Sequence, residues 1–180
     1  SYIKEYGEKR IKYLKEKRQG SHYARNLGAK IAVGDILYFT DDDMIADYNL
    51  LSNLVEFMEK HPKVGIATGK VVPKWECVPP KWVERYCCNG LLSLIDLGKN
   101  NRVSRKDIGV YSCHEAIWRK VFDKTNGFHL DLVGNELLGD GETGLNADIL
   151  GMGYLSAYVG NALIYHMIPK KRMTQKYLNN

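Results

Sequence analysis

A short apolar run that ends in three consecutive aspartates constrains the fold of this chain most strongly. The run from Ile36 to Thr40 has the length and composition of a buried strand, and Asp41, Asp42 and Asp43 follow it directly. Open α/β folds bind ligands at the carboxyl ends of their strands. Three adjacent carboxylates repel one another unless a cation is bound, and their oxygens suit Mg²⁺ or Mn²⁺. The alternative is a solvated acidic turn that caps the next helix.

The rest of the chain alternates between helical and strand-like segments. Predicted helices cover residues 2–17, 22–33, 49–59, 81–97, 115–124 and 141–150, and predicted strands cover residues 36–40, 64–72, 108–113, 154–159 and 163–166. Strands that alternate with helices predict an α/β fold with a mainly parallel sheet. The length of 180 residues suits a single domain spanning 1–180.

Charge and cysteine content bear on the partners and on the cellular compartment of the protein. The formal charge of +5 is concentrated in residues 4–18 and 170–176, which predicts either solvated basic surfaces or attraction to a diphosphate or an anionic membrane surface. No nucleic-acid-binding motif accompanies the charge, so nucleic acid is not expected as a partner. The four cysteines show no zinc-like spacing. We therefore predict a cytoplasmic protein, with peripheral contact at the inner face of the membrane as an additional option.

Several segments around the aspartates resemble family 2 glycosyltransferases with the GT-A fold. The similar segments are Gly20-Ser21-His22-Tyr23-Ala24-Arg25-Asn26, Ala32-Val33-Gly34-Asp35-Ile36-Leu37 and Phe39-Thr40-Asp41-Asp42-Asp43. The resemblance implies that Asp41 and Asp43 handle the metal and the donor diphosphate, with Asp42 adjacent. It also implies that Arg25 and Asn26 lie beside the donor nucleotide. Taken alone, Arg25 is equally a surface residue of a helix.

The second half of the chain extends the resemblance. Residues 110–122, which include His114, are similar to the acceptor-side strand and helix of the family, and residues 140–145 align with its Gly-Glu-Asp-Thr-Glu-Leu motif. The alignment implies that Glu142 is the catalytic base, with Asp140 as the fallback. The departures from the family include Gly141, which replaces Glu, and Asp148, which stands where Arg is common. Without the resemblance, Glu142 is a carboxylate that complements a helix dipole.

The end of the chain supplies the remaining candidates. Residues 162–166 and 169–172 resemble the closing strand of the family, which implies that His166 completes the metal or diphosphate site and that Lys171 and Arg172 neutralise the leaving diphosphate. A histidine after an apolar strand is alternatively structural. Trp75 and Trp82 are predicted to stack on an acceptor sugar, although either could instead pack in the core.

Together these motifs predict an inverting glycosyltransferase that uses Mg²⁺ or Mn²⁺ and a nucleotide-diphosphate sugar, as in polysaccharide biosynthesis, with a glycan or lipid-linked acceptor. The resemblance extends from about Gly20 to Arg172. The first strands of the family, which hold the nucleobase, have no counterpart, so a partial domain is predicted. The alternatives are a non-catalytic nucleotide- or glycan-binding module and, less favoured by the motifs, an Asp-x-Asp phosphatase.

Overall fold

The computed structural model describes residues 11–130, 132–133, 136–137 and 141–178. Its helices and strands follow one another along the chain as an α/β arrangement. The strands are β1 (Ile36–Thr40), β2 (Met44–Ala46), β3 (Val64–Trp75), β4 (Arg102–Ser104), β5 (His114–Trp118), β6 (Leu132–Val133), β7 (Glu136–Leu137) and β8 (Leu155–Ile168). The α-helices are α1 (Ser21–Ile31), α2 (Leu50–Lys60), α3 (Lys81–Tyr86), α4 (Arg119–Phe122), α5 (Gly141–Gly151) and α6 (Gln175–Leu178), and the 3₁₀ turns are Gly90–Leu92 and Lys170–Met173.

The strands form one six-stranded sheet and one small hairpin. The order in the large sheet is β1-β5-β3-β8-β2, with β4 also paired to β8, and β6 pairs with β7. The predicted α/β class is confirmed, and the sheet is mixed. β3 and β8 pair in parallel, whereas β5 runs antiparallel to both β1 and β3. Strands β1, β3 and β8 therefore share one direction, and β5, β2 and β4 oppose it.

Apolar side chains on the two faces of this sheet form two cores. One core packs α2 and the segment that follows α3 against β3 and β8, and includes Leu54, Met58 and Tyr158. The other core packs α1 and α5 against β1 and β5, and includes Phe128 and Leu145. The 11-residue helix α2 turns Leu50, Leu54, Phe57 and Met58 inward, at the spacing that a 3.6-residue period requires. The sheet therefore lies between helices that pack on its two faces.

Strand β8 is one continuous strand rather than the two that the sequence predicts. Its register against β3 shifts where Gly69 pairs with Val159 and Lys70 pairs with Leu163. A Cβ atom on Gly69 would collide with the carbonyl oxygen of Ala162. Glycine at position 69 therefore permits the close approach that keeps β8 paired through the irregularity.

Four other sequence-based assignments are wrong within the described residues. The predicted helix at 81–97 ends at Tyr86 and is followed by a 3₁₀ turn, where Ser93 takes a φ of 51°. The predicted strand at 108–113 and helix at 115–124 are replaced by strand β5 and the four-residue α4. Short apolar runs fit either state, and pairing on both sides with β1 and β3 selects the strand. Residues 11–17 of the predicted first helix have no regular structure, and residues 1–10 lie outside the described residues.

Candidate active site

The acidic triplet lies where the sequence predicts, at the carboxyl end of β1. Asp43 leads directly into β2, whose first residue, Met44, pairs with His166 on β8. The backbone N–H of Met167 also donates to the carbonyl of Asp43 at 2.9 Å. This pairing brings the Asp43 carboxylate within 3.3 Å of the imidazole Nε2 of His166. Two residues separated by more than a hundred positions thus meet because β2 pairs with β8.

The His166 ring is buried and its orientation is fixed. Its Nδ1 lies 2.8 Å from the carbonyl oxygen of Leu92. Because a carbonyl oxygen only accepts hydrogen bonds, Nδ1 carries the proton. The other ring nitrogen, Nε2, lies 2.8 Å from Nη1 of Arg172, which can only donate, so Nε2 is the acceptor. Imidazoles that bind metals are commonly held in this way, by a backbone carbonyl behind the ring.

Arg172 bridges the other two side chains of this cluster. Its Nη1 donates to His166 Nε2 at 2.8 Å, and its Nη2 lies 3.0 Å from Asp43 Oδ2. Three of the residues predicted for donor and metal binding therefore converge. Asp41 does not join them, because it pairs with Arg25 instead. Among the residues that the structure describes, no three Asp, Glu, His or Cys side chains come together as a metal site.

Asp43 and His166 nevertheless fit a divalent ion that is shared with a substrate. Mg²⁺ sites of this kind use one or two protein ligands, and phosphate oxygens complete the shell. Asp43 contributes a hard oxygen, and the oriented Nε2 of His166 contributes a nitrogen that Mn²⁺ accepts. The chemistry of this pair fits a divalent ion, and the metal role of Asp41, Asp43 and His166 stays a prediction.

Arg25 pairs with Asp41, the first aspartate of the triplet. Its Nη2 lies 2.6 Å from Asp41 Oδ1, and its Nη1 donates to the Ser21 hydroxyl at 3.0 Å. The guanidinium carbon also lies 5.8 Å from the centre of the Phe128 ring, a cation–π distance. Only 13% of the Arg25 side chain is exposed, so this arginine is a fixed part of the site. Asp42, between the two paired aspartates, is exposed.

Glu142 lies in the first turn of α5 and faces the same helix that carries Arg25. Its Oε2 is 3.7 Å from Nε2 of His22, and 19% of its side chain is exposed. His22 Nε2 accepts the backbone N–H of Gly141 at 3.1 Å. His22 and Arg25 are three residues apart on α1, the spacing of neighbours on one helix face. Helix α1 therefore connects the aspartates to Glu142. Asp140, the fallback base, lies outside the described residues.

Two glycines explain why the α5 motif departs from the family pattern. A Cβ atom at Gly141 would collide with the carbonyl oxygen of His129 and with the ring of His22, and one at Gly144 would collide with the ring of His129. His129 is itself paired with Asp148 at 2.7 Å. The roles of His22 and His129 were missed from sequence. The available signal was two glycines within four residues of a predicted helix, where they are unfavourable unless something packs closely.

Cys113 is a buried thiol that lies close enough to Asp41 to feel its charge. Burial, followed by the charge of Asp41, raises the pKa of its thiol to about 12. A thiol that stays protonated is a poor nucleophile. The chemistry available at this site is therefore that of carboxylates, arginines and an imidazole.

Two predicted contact residues, Asn26 and His114, make contacts within the fold. The Asn26 amide donates from Nδ2 to the Phe128 carbonyl at 2.9 Å and accepts the Phe128 N–H at 2.8 Å, so both of its polar groups are used. His114, predicted on the acceptor side, is fully buried, and its ring contacts Ala162 and Tyr38. Burial lowers the pKa of His114 to about 4. Because both side chains make contacts within the fold, the structure favours a structural role for them over the predicted contacts with donor and acceptor.

The remaining candidates lie at the surface or at its margin. Trp75 and Trp82 are half-buried and pack against the larger core, so each presents part of its ring to solvent. Lys171 is exposed on the 3₁₀ turn that carries Arg172. Their predicted roles in acceptor and diphosphate binding stay predictions.

Comparison with known proteins defines the class. Residues 1–126 match glycosyl transferase family 2, and the chain belongs to this family. A curated relative, the glucosyl-dolichyl phosphate glucuronosyltransferase of Haloferax volcanii, is 29% identical over 72 residues, which are 40% of this chain and 23% of that protein.

Solved structures support the GT-A fold. The mannosyltransferase PcManGT from Pyrobaculum calidifontis, in complex with GDP-Man and Mn²⁺, matches with a TM-score of 0.53 and 20% identity over 87% of this chain and 39% of its own. GalNAc-T7 with UDP, GalNAc and Mn²⁺ matches with a TM-score of 0.55 and 17% identity over 86% and 31%. The chain thus spans less than half the length of each relative. No helix in the described residues is long and apolar enough to cross a membrane.

Proposed function

We propose that this chain carries the active site of an inverting, metal-dependent glycosyltransferase that uses a nucleoside diphosphate sugar. The observation that carries the proposal is the convergence of Asp43, His166 and Arg172 at the end of β1. Membership of family 2 supports transferase chemistry. The two similar structures were solved with nucleotides or nucleotide sugars and Mn²⁺, which supports a donor and metal of this kind.

Each group at the site has a defined task in this proposal. Asp43 and His166 would hold the metal ion beside the diphosphate of the donor. When it is bound, Mg²⁺ or Mn²⁺ neutralises charge on the leaving diphosphate. Arg172 and Lys171 contribute further positive charge to the diphosphate, and Arg25 orders Asp41 beside it.

Glu142 is the general base. It accepts the proton of the acceptor hydroxyl, whose oxygen bonds to the anomeric carbon as the bond from that carbon to the diphosphate breaks. The partial exposure of Glu142 leaves its carboxylate accessible to an acceptor. A single displacement inverts the anomeric configuration. The acceptor is a glycan or a lipid-linked glycan, and action at the inner face of a membrane would suit the latter.

A thermal-shift experiment tests the metal site. The melting temperature is measured with uridine or guanosine diphosphate, with and without Mn²⁺, for the native chain, Asp43→Asn and Asp123→Asn. Asp123 is an exposed carboxylate on another surface and serves as the charge-matched control. We expect Mn²⁺-dependent stabilisation by the nucleotide in the native chain and in Asp123→Asn, and its loss in Asp43→Asn. Equal stabilisation of all three proteins would contradict the proposal.

Product analysis separates an enzyme from a binding module. Proton NMR of the transferred sugar reports its anomeric configuration, and inversion relative to the donor is expected. Retention would refute the single-displacement mechanism. Nucleotide binding without release of nucleoside diphosphate from any tested sugar donor would favour a non-catalytic module.

A further inference from the structure

Arg172 occupies the position from which a cation would contact the two proposed metal ligands. Its guanidinium donates to His166 Nε2 and pairs with Asp43 Oδ2, at 2.8 and 3.0 Å. These are the two ligand atoms that the proposed function assigns to the ion. Since the His166 ring is fixed by Leu92, its Nε2 lone pair cannot serve Arg172 and a metal ion at the same time.

We propose that Arg172 is an exchangeable internal cation, which holds the Asp43–His166 pair until a metal ion and a nucleoside diphosphate together displace it. The inference rests on the proposed function. In the nucleotide-free protein, an incoming metal ion must break the contacts of Arg172 with Asp43 and with His166. It must also approach the guanidinium, which carries a positive charge like its own. A diphosphate supplies the released guanidinium with new acceptor oxygens. Metal and nucleotide should therefore bind with positive coupling, which is reciprocal by thermodynamic necessity.

The location of Arg172 allows the exchange. It lies on the 3₁₀ turn Lys170–Met173, which is anchored by buried Met173 and by the bond from the Lys170 N–H to Glu76. The Arg172 side chain itself is 28% exposed, so its guanidinium can turn outward without opening the core.

Arg25 provides the contrast. It pairs with the opposite end of the triplet, but its side chain is only 13% exposed and is additionally held by Ser21 and the Phe128 ring. Moving Arg25 would break contacts within the packed start of α1. Moving Arg172 breaks its contacts with Asp43 and His166 and its approach to the Tyr177 ring, whose centre lies 5.9 Å from the guanidinium carbon, and leaves the helices of the fold in place. The structure thus assigns the two arginines different tasks: Arg25 is a permanent counter-charge, and Arg172 is the one that is exchanged.

The test is a titration of Mn²⁺ into the nucleotide-free 180-residue chain, followed by electron paramagnetic resonance of free Mn²⁺. The native protein is compared with Arg172→Ala and with Lys170→Ala, which removes an equal charge from an exposed position on the same turn. We expect Arg172→Ala to bind Mn²⁺ roughly 10-fold to 100-fold more tightly, the worth of one charge-assisted contact. Lys170→Ala should stay within about 2-fold of the native affinity, because an exposed charge is screened.

A second titration measures the coupling. With saturating uridine diphosphate, Mn²⁺ affinity should rise more in the native chain than in Arg172→Ala, because the variant has no guanidinium to release. Arg172→Lys, whose single ammonium cannot span both ligands, should fall between the native chain and the alanine variant in nucleotide-free Mn²⁺ affinity.

The outcomes separate this inference from the proposed function. If Arg172→Ala binds Mn²⁺ no more tightly than the native chain, or if neither binds it measurably, the exchange is refuted. In the first case, if Asp43→Asn loses Mn²⁺ binding, the metal site of the proposed function is still supported. If Asp43→Asn instead binds Mn²⁺ as the native chain does, the metal site of the proposed function fails, and the exchange fails with it.

Discussion

Glu115, on β5, offers a quantitative test of how this fold handles a buried charge. The residue is fully buried, and within the described chain neither of its carboxyl oxygens has a hydrogen-bond partner. Burial, followed by the negative charge of Glu142, raises the pKa of Glu115 well above its ordinary value of 4.5. The folded protein therefore holds Glu115 as a neutral acid, whereas the unfolded chain ionises it at ordinary pH.

The sign of the effect on stability follows from this difference. Because the folded-state pKa of Glu115 is raised, its contribution to stability is complete below the unfolded-state pKa and is lost as the pH rises toward the folded-state pKa. Each pH unit in that window lowers the free energy of unfolding by about 1.4 kcal/mol.

Glu115→Gln removes the titration and should remove this pH dependence. Urea denaturation at about pH 5 and about pH 7 gives the free energy of unfolding of the native chain, Glu115→Gln and Glu59→Gln, an exposed glutamate on α2 that controls for loss of one negative charge. The advantage of Glu115→Gln over the native chain should grow by roughly 2 kcal/mol between the two pH values. An advantage that is the same at both values would refute the reasoning, because Glu115 would then ionise equally in both states. Glu115→Met tests burial without any polar group and should behave like the glutamine variant.

Three further predictions follow from the site and its supports. Gly141→Ala should lower the free energy of unfolding by about 1–3 kcal/mol in urea denaturation, because its Cβ would collide with the His129 carbonyl. Asn26→Ala should cost a similar amount, about 1–3 kcal/mol, by leaving the Phe128 backbone groups unpaired, while nucleotide affinity measured by calorimetry stays unchanged. Glu142→Gln should slow sugar transfer by about 10²- to 10⁴-fold in a product assay, with Mn²⁺ and nucleotide affinity preserved; near-native turnover would exclude Glu142 as the base.

The local sequence pattern predicted the position of the three aspartates, whereas the contact of one of them, Asp43, with His166 depends on pairing between distant strands. The strand at 36–40 has the predicted bounds, because an apolar run followed by charged residues fits few other structures. The contact of Asp43 with His166 depends on the pairing of β2 with β8, and β2 has only three residues, too few for a periodic signal. His114 was assigned to the acceptor side through the resemblance of residues 110–122 to the acceptor-side strand and helix of the family. The strand in fact begins at His114, and the ring is buried.

The departures of the α5 motif are best explained as a repacking of the start of that helix. The His22 ring and the His129 backbone fill the space that a side chain at position 141 would need. A glutamate at this position would therefore have to displace α1 from α5. The neighbouring position lies on another side of the helix, and Glu142 keeps part of its carboxylate exposed. His22 binds the Gly141 N–H at the same point, which fixes the first turn from which Glu142 projects. Glycine at 141 is therefore a condition for the contact of His22 with the Gly141 N–H, which fixes the turn that carries Glu142. This supports Glu142 as the group that faces an acceptor, rather than a carboxylate lost from position 141.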